Sequence, residues 1–262
     1  MSKLKKDPIH VGLLCAMPEE IGSTLKNIKN ISQKRFGDLH IFSGEWIHPN
    51  ASLIVFVTLA WSGWGKVSSA RAATRILDSK IEGKSVDFLI FTGVAGAAKS
   101  DLNQWDIIIP NELVQHDMDA RPIFEKYIIP TLKISRITTS KSLLEWAYNS
   151  IKTKINNNQL RKFGVVEKGL VATGDKFISD KLTLGNLTKE FPELCAVEME
   201  GAAVAQVAFQ EDLPWLILRV ISDNADHSAS QNFVDFLEDY KNFSWNLIES
   251  LFLSLDKLPL PK

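Results

Sequence analysis

Short apolar runs rich in Val, Ile and Phe alternate along the chain with segments whose apolar residues recur at helical spacing. This alternation predicts an α/β domain with a mainly parallel sheet and helices on its faces. Strands are predicted at Ile9–Ala16, His40–Glu45, Leu53–Thr58, Phe88–Thr92, Asp106–Val114, Val165–Thr173 and Trp215–Ser222. Helices are predicted at Glu19–Ile28, Lys66–Ser79, Lys141–Lys154, Lys181–Lys189, Glu198–Gln210 and Ser230–Leu255.

No linker rich in Pro, Gly or Ser divides the chain, so we expect one domain. This domain is predicted over residues 9–256, between an N-terminal extension at residues 1–8 and a C-terminal tail at residues 257–262. The segment Asp117–Ser135 contains Pro122 and Pro130 and interrupts the periodic pattern, which predicts a long loop.

Charge and composition exclude several classes of partner. The 262 residues include 30 Lys and Arg against 31 Asp and Glu, so no basic field exists to hold nucleic acid or an anionic membrane. The apolar stretch Ile9–Met17 is too short for a signal peptide, and no run approaches the ~18 apolar residues of a membrane span. Two cysteines, Cys15 and Cys195, suit a reducing compartment, and we expect a cytoplasmic protein.

Two segments imitate catalytic motifs without completing them. Gly83-Lys84-Ser85 resembles the end of a phosphate-binding loop, but Asp78 stands where that loop needs its first glycine. The segment from Trp61 to Gly65 resembles a nucleophile elbow, but Ala60 replaces its first glycine. Ser62 is therefore interpreted as a turn residue.

The histidines predict no metal site, because none of them pairs at helical ligand spacing. They are His10, His40, His48, His116 and His227. His116 and Asp117, with Asp119, form the most ligand-like cluster, which we interpret as a polar strand end entering a loop. No metal and no cofactor is expected.

Four segments lie where α/β proteins place their chemistry, at the carboxyl end of a strand or at the start of the next helix. They are Ala16–Glu20, the small-residue turn Thr92–Ala98, Gly169–Ile178, and Ala196–Ala202 at the start of a helix together with Arg219–Asp226. Carboxylates in such apolar surroundings are costly to bury without a partner or a purpose. The set Glu20, Glu198, Glu200 and Asp223 therefore indicates a site.

These segments, in this order, resemble the nucleoside phosphorylase superfamily. The motifs are Ala16-Met17-x-Glu19-Glu20, Thr92-Gly93-x-Ala95-Gly96, Gly174-Asp175-x-Phe177-Ile178, Val197-Glu198-Met199-Glu200 and Ile221-Ser222-Asp223-x-Ala225-Asp226. They are most similar to the branch of 5'-methylthioadenosine/S-adenosylhomocysteine nucleosidases. The resemblance implies a mixed sheet that partly closes into a barrel, a homodimer, and hydrolysis of an adenine nucleoside to adenine and a thioribose.

The resemblance also implies roles for individual residues. Glu20 corresponds to the base that activates water, and Asp223 to the acid that protonates purine N7. The implied substrate contacts are Met199 and Glu200 at the ribose, Gly96 and Ile178 through the backbone, Phe177 stacked on the base, Phe233 near the 5' group, Val94 and Ser222 in the same motifs, and Trp64 in the turn Ser62-Gly63-Trp64-Gly65-Lys66.

The residue chemistry independently supports an acid and a base. Cleavage of an N-glycosidic bond leaves positive charge on the sugar and negative charge on the departing purine. Burial of Asp223 beside Ile221 should raise its pKa, which keeps a proton available for the purine. An ionised Glu200 can accept hydrogen bonds from both ribose hydroxyls.

Hydrolysis is favoured over phosphorolysis by one position above all. Phosphorylases of the same family bind phosphate with Arg after the first strand and before the Gly-rich segment, where this chain has Glu20 and Phe91-Thr92. A carboxylate would repel the phosphate that an Arg clamps. A phosphorylase, a nucleosidase of an aminodeoxyfutalosine-type nucleoside and a catalytically silent sensor remain the alternatives, although a sensor needs neither Glu20 nor Asp223.

The chain departs from the nucleosidase branch at three places near the expected pocket. Val94 replaces a common Ser, which should remove a polar contact near the purine or its acid. Trp64 replaces a common Ile or Val, which should narrow the pocket. The segment from Met118 to Phe124 differs from the loop that would help to form the 5' pocket of a dimer partner. The 5' substituent therefore stays open.

Overall fold

The computed structural model describes residues 7–49, 53–226 and 228–260, which form an α/β domain. Its strands are β1 Ile9–Cys15, β2 Lys29–Phe36, β3 Leu39–Ile47, β4 Ile54–Trp61, β5 Lys80–Ile81, β6 Lys84–Ser85, β7 Phe88–Ala97, β8 Ile107–Gln115, β9 Arg136–Thr138, β10 Val166–Thr173, β11 Leu194–Glu198 and β12 Trp215–Asp223. Its α-helices are α1 Thr24–Asn27, α2 Lys66–Leu77, α3 Lys141–Asn156, α4 Lys181–Glu190, α5 Gly201–Gln210, α6 Ala229–Tyr240 and α7 Ser244–Phe252. Two 3-10 helices lie at Pro18–Glu20 and Leu255–Lys257.

The main sheet is mixed and closes on itself at one end. Its strand order is β11-β10-β8-β12-β7-β1-β4-β3-β2, and β9 pairs with β8. The end of β7 also pairs with β11, Gly96 opposite Val197 and Ala97 opposite Ala196. Strands β7, β12, β8, β10 and β11 thus form a closed ring, and β1 to β4 extend it, which confirms the mixed, barrel-like sheet.

Helices cover both faces of this sheet, as the sequence pattern predicted. Successive side chains of a strand point to opposite faces, and in β12 Leu218 and Val220 pack with the cluster that includes α3, α6 and α7. Ile217 and Ile221 of the same strand pack with α2 and α5. All nine residues of β12 are buried, so the apolar run reflects burial on both faces.

The ring brings the carboxyl ends of three strands together. β1 and β12 both run parallel to β7, whereas β11 runs antiparallel to it. β11 therefore ends at Glu198 beside the second half of β7, near the end of β12 at Asp223, which is in register with Gly96. This junction holds the candidate site.

The predicted helix Glu198–Gln210 is wrong at its start. Residues Leu194–Glu198 form the buried strand β11, and the helix begins only at Gly201. The five-residue segment Leu194–Glu198 is too short for its apolar pattern to distinguish a strand from a helix. The predicted small-residue turn Thr92–Ala98 is also wrong, because β7 continues to Ala97 and carries these residues inside the sheet.

Two other predicted helices are interrupted. The helix predicted at Glu19–Ile28 is instead the 3-10 helix Pro18–Glu20 and α1, separated by Gly22 with φ of 47°. The helix predicted at Ser230–Leu255 divides into α6 and α7, and the Trp105 ring packs against residues on both sides of the break. The Trp105 ring lies 4.7 Å from Phe236 and 5.7 Å from Phe243.

Strands with little apolar content were not predicted. The edge strand β2 is exposed along seven of its eight residues, so it has no alternating buried face to detect. β9 and the hairpin of β5 and β6 are only two or three residues long. Residues 117–135 form the expected long segment between β8 and β9, with one isolated bridge between Ile129 and Ile134.

The domain boundaries predicted at residues 8 and 256 stay a prediction. Residues 1–6, 261–262 and His227 lie outside the described residues. Within the described ranges, none of the helices combines the length and apolar character needed to cross a bilayer.

Candidate active site

One cavity at the junction of β1, β7, β11 and β12 is lined by every residue singled out from the sequence. These are Glu20, Trp64, Val94, Gly96, Phe177, Ile178, Met199, Glu200, Ser222, Asp223 and Phe233. Ala16, Met17, Ala95, Lys176, Val197 and Glu198 complete the lining. The structure thus brings the predicted residues together, whereas their individual roles stay proposals.

Glu20 is buried and held by three backbone N–H groups. Its Oε2 accepts hydrogen bonds from Ala16 N at 2.7 Å and Met17 N at 3.0 Å, and its Oε1 accepts one from Val94 N at 3.0 Å. Burial nevertheless raises the pKa of Glu20, while nearby Arg219 and the N–H donors oppose that rise. The carboxyl is fixed in position and can take up a proton.

Gly93, within β7, leaves space for the Glu20 carboxyl because it has no side chain. A Cβ atom there would lie 2.5 Å from Glu20 Oε1 and would also overlap Arg219 Nη1. The carboxylate and the guanidinium therefore converge on the bare backbone of Gly93. A glycine within a strand often marks such a close approach.

Arg219 is the residue that the sequence interpretation quoted but gave no role. It is fully buried in β12, donates through Nη2 to Glu198 and lies 3.5 Å from Glu200 Oε2. Its guanidinium carbon lies 4.3 Å from the centre of the Phe91 ring. Among the described residues, Nη1 and Nε have no hydrogen-bond partner. The sequence did contain a signal for the role of Arg219, a single Arg within an apolar strand, because a buried cation needs anionic partners.

Glu198 fixes the turn from β11 into α5. Its Oε2 accepts hydrogen bonds from the N–H groups of Glu200 at 3.0 Å and Gly201 at 2.7 Å. Thr173 donates its hydroxyl to Glu198 and accepts from Ala202 N at 2.8 Å. The Glu198 carboxylate is therefore engaged by the N–H groups at the start of α5 and by Arg219. These contacts position the neighbouring Glu200.

Glu200 is buried and only partly neutralised. Its Oε1 accepts a hydrogen bond from Gly65 N at 2.8 Å. Burial, followed by repulsion from Glu198, raises the pKa of Glu200 to about 8, and Arg219 opposes the rise. The Glu200 carboxyl therefore keeps its proton to a pH well above the ordinary pKa of a Glu side chain.

This raised pKa predicts a pH-dependent contribution to stability. Between the ordinary value of 4.5 and about 8, the folded state keeps the Glu200 proton and the unfolded chain has lost it. Raising the pH through this window therefore lowers the free energy of unfolding, by up to about 1.4 kcal/mol per pH unit. In urea unfolding, wild type should lose stability relative to Glu200→Gln as the pH rises from 5 to 8, because Gln does not titrate and the other titrating groups cancel in the comparison. A constant difference from pH 5 to 8 would contradict the assignment.

Asp223 closes the other side of the cavity at the end of β12. Its Oδ2 accepts a hydrogen bond from Ser222 Oγ at 2.7 Å, and its Oδ1 accepts one from Ala225 N at 2.8 Å. Burial raises the pKa of Asp223, in the direction expected from the sequence. A Cβ atom on Gly96 would lie 3.0 Å from Asp223 Oδ1, so Gly96 leaves this carboxyl accessible from the cavity.

Three aromatic rings line the cavity in a row. Phe233 lies between the other two, with its ring centre 5.6 Å from Phe177 and 5.8 Å from Trp64. Both contacts are edge-to-face, at 76° and 89°. This geometry is the favourable one for aromatic pairs, and it leaves ring faces available to a ligand.

The turn that carries Trp64 is held at its Lys66 end. Lys66 N donates to Asp175 Oδ1 at 2.8 Å, Asp175 N donates to Asp117 Oδ2 at 2.9 Å, and Lys66 Nζ pairs with Asp117 Oδ1 at 2.6 Å. Asp117 is therefore engaged in this ring of contacts, and Asp119 pairs with Arg121. In the described parts of the chain, no three His, Cys, Asp or Glu side chains are grouped so as to hold a metal.

The closed mixed sheet and the carboxylate-lined cavity define a protein with the nucleoside phosphorylase architecture. Residues 10–252 match the family model of the phosphorylase superfamily. The chain belongs to this family, as the sequence motifs predicted.

Relatives and solved structures agree with this assignment. The chain is 37% identical over 202 residues to a 5'-methylthioadenosine/S-adenosylhomocysteine nucleosidase of Geobacillus sp. (strain WCH70), covering 77% of this chain and 82% of that protein. It is similar to the Neisseria meningitidis nucleosidase of the same name, solved with methylthio-immucillin-A, with a TM-score of 0.81, 30% identity and coverage of 94% and 99%. It is also similar to the Helicobacter pylori futalosine hydrolase, with a TM-score of 0.79, 31% identity and coverage of 95% and 98%.

Proposed function

We propose that this protein hydrolyses the N-glycosidic bond of 5'-methylthioadenosine and S-adenosylhomocysteine, and releases adenine and the thioribose. The observation that carries the proposal is the pair of buried carboxyls, Glu20 and Asp223, in one cavity with raised pKa values. The prediction of an N-glycosyl hydrolase of this kind is confirmed by the relatives and structural neighbours that carry the nucleosidase name.

Asp223 serves as the acid in this reaction. A purine leaves more readily when N7 takes a proton, and burial raises the pKa of Asp223, so this carboxyl keeps its proton to a higher pH than an exposed Asp does. Ser222 Oγ and Ala225 N hold the carboxyl in place. Phe177 offers its ring to the base, and Gly96 lets the base approach the backbone of β7.

Glu20 serves as the base, and its three N–H bonds aim it. Water that attacks the sugar must lose a proton, and the fixed Glu20 carboxylate accepts it. Glu200 accepts hydrogen bonds from the ribose hydroxyls once it is ionised, and Met199 packs beside the sugar.

The charges in the cavity favour water over phosphate as the nucleophile. The basic side chain in the lining, Lys176, donates to Thr183 Oγ1 at 3.0 Å and lies 3.7 Å from Asp180. Arg219, behind the cavity, is engaged by Glu198 and Glu200. A phosphate would therefore meet the Glu20 carboxylate, and none of the described lining residues is an Arg that could clamp it.

Adenine release from 5'-methylthioadenosine, with and without phosphate, tests this function. Release in phosphate-free buffer with free methylthioribose as product is expected. Strict dependence on phosphate would instead identify a phosphorylase and remove Glu20 from its role. Release from an aminodeoxyfutalosine-type nucleoside alone would favour the second candidate, which the similarity to futalosine hydrolase supports.

We also propose that the protein acts as a homodimer in the cytoplasm, with a small adenine nucleoside as its ligand and neither nucleic acid nor membrane as a partner. The family resemblance supports the dimer, and two free, buried cysteines suit a reducing compartment. Light scattering at micromolar concentration should give twice the mass of one chain, and a monomer would contradict the dimer.

A further inference from the structure

We propose that the ion pair between Lys66 and Asp117 is a positioning clamp that holds the ribose side of the cavity against the base side. This inference rests on the proposed nucleosidase function, and it gives a role to Asp117, which the sequence identified only as part of a polar strand end. Lys66 Nζ lies 2.6 Å from Asp117 Oδ1, and both side chains are partly buried. Neither residue lines the cavity, so the pair acts through the residues that do.

The clamp joins two segments that the sheet does not hold together. The turn at residues 62–65 follows β4, and the loop at residues 174–180 follows β10. By the shorter path around the ring, β11, β7 and β1 lie between these two strands. The spacing of the turn and the loop therefore depends on contacts across the cavity and not on strand pairing.

Each segment carries one half of the proposed substrate site. The turn donates Gly65 N to Glu200 Oε1 at 2.8 Å, and so orients the carboxyl proposed to hold the ribose hydroxyls. The loop carries Phe177 and Ile178, which line the cavity where the base is proposed to bind. A nucleoside needs both halves at the right spacing, whereas free adenine needs only the loop and Asp223 on the base side.

The loop also completes the start of α2, which has no cap of its own. Gly65 stands at the N-cap position with φ of 92° and has no side chain that could accept a hydrogen bond. Asp175 of the loop supplies the acceptor, because its Oδ1 accepts from Lys66 N at 2.8 Å. A Cβ atom on Gly65 would lie 2.9 Å from that oxygen, so the glycine lets the loop approach.

Lys66 stands at the first position of α2, where the helix dipole disfavours a cation and Asp117 compensates for it. The other carboxylate oxygen, Asp117 Oδ2, accepts from Asp175 N at 2.9 Å. One carboxylate therefore contacts the start of α2 through Lys66 and the loop through Asp175. Burial alone would raise the pKa of Asp117, but the hydrogen bonds from Lys66 and Asp175 lower it, so the carboxylate is ionised at neutral pH.

The test compares the KM for 5'-methylthioadenosine with the inhibition constant of free adenine in wild type, Lys66→Met, Asp117→Asn and the double variant. Either single change should raise the KM about fivefold, because the turn no longer keeps Glu200 at a fixed distance from the base side. The adenine constant should change by less than about twofold, since both variants keep an acceptor for Asp175 N and leave the loop in place. The double variant should be no weaker than either single variant, because the second change removes a partner already lost.

Asp38→Asn is the matched control. It removes the charge from another ion pair of α2, 2.8 Å from Asp38 Oδ1 to Arg71 Nη1, and neither of these residues lines the cavity. Both constants should stay unchanged in this variant.

Three kinetic results would overturn the inference while leaving the nucleosidase intact. They are an unchanged KM in both single variants, equal rises in the KM and the adenine constant, and effects that add in the double variant. Loss of the folded state at the assay temperature, seen in a thermal unfolding curve of either single variant, would also overturn it, because the pair would then stabilise the domain and not the site. Failure of wild type to release adenine would instead contradict the proposed function itself.

Discussion

Replacing Glu20 by Gln is expected to lower the rate of adenine release at least about 10³-fold, because an amide cannot take a proton from water. The hydrogen bonds that Glu20 accepts give a second reason for this loss. Both Glu20 oxygens accept backbone N–H bonds, so one of the donors Ala16, Met17 or Val94 would face the NH₂ group of Gln. The loss should appear in kcat, whereas affinity for a non-hydrolysable adenine nucleoside should change little.

Glu19→Gln provides the matched control, because it removes the same charge from the adjacent residue, which does not line the cavity. It should retain near-normal turnover. Calorimetric binding and a thermal unfolding curve for Glu20→Gln separate a lost base from a lost fold. Near-normal turnover in Glu20→Gln would exclude this carboxyl as the base.

Asp223→Asn is expected to lower the rate of adenine release by at least about 10²-fold, the contribution of one positioned acid. Asn retains an oxygen that can accept from Ala225 N, so the local backbone should persist. The acid assists the leaving group, and its loss should therefore matter less when the leaving group needs no proton. A 5-methylthioriboside of 4-nitrophenol should be cleaved by Asp223→Asn with a much smaller loss than 5'-methylthioadenosine.

Asp226→Asn is the control for charge alone. Asp226 caps the backbone N–H of Ser228 at 3.0 Å, a contact that Asn can keep, and it does not line the cavity. Its effect on turnover should be small. A loss below tenfold in Asp223→Asn, or an equal loss on both substrates, would place the assistance to the leaving purine elsewhere.

The central strands could be predicted from the sequence because their burial is uniform. β1, β7 and β12 are buried along nearly their whole length, so each appears as a continuous apolar run. β2 was missed because an exposed edge strand needs only backbone pairing with β3, which leaves no hydrophobic pattern. The break between α6 and α7 was missed because the residues that flank it pack against Trp105, more than 120 residues earlier in the chain, and such a long-range contact leaves no local pattern.

The members of the site were predictable, but the contacts between them were not. The order of the motifs identified Glu20, Glu200 and Asp223, because each is an acidic residue near the end of an apolar segment. The sequence could not tell that Glu198 caps a helix while its neighbour Glu200 opens toward the cavity. Two of the three N–H donors to Glu20, Ala16 and Met17, lie in the turn after β1, and the third, Val94, lies in β7, so only the folded chain brings them together.

The closure of the ring between β7 and β11 has a thermodynamic consequence. This seam consists of two residue pairs, Gly96 with Val197 and Ala97 with Ala196, and both strands contribute to the cavity. With the proposed substrate contacts, Gly96 on one strand and Glu200 after the other, a bound nucleoside would span the seam. Ligand that binds only the closed ring stabilises it by mass action. Occupancy of the pocket therefore acts as a cross-link, so that the protein resists opening most when it is saturated with substrate.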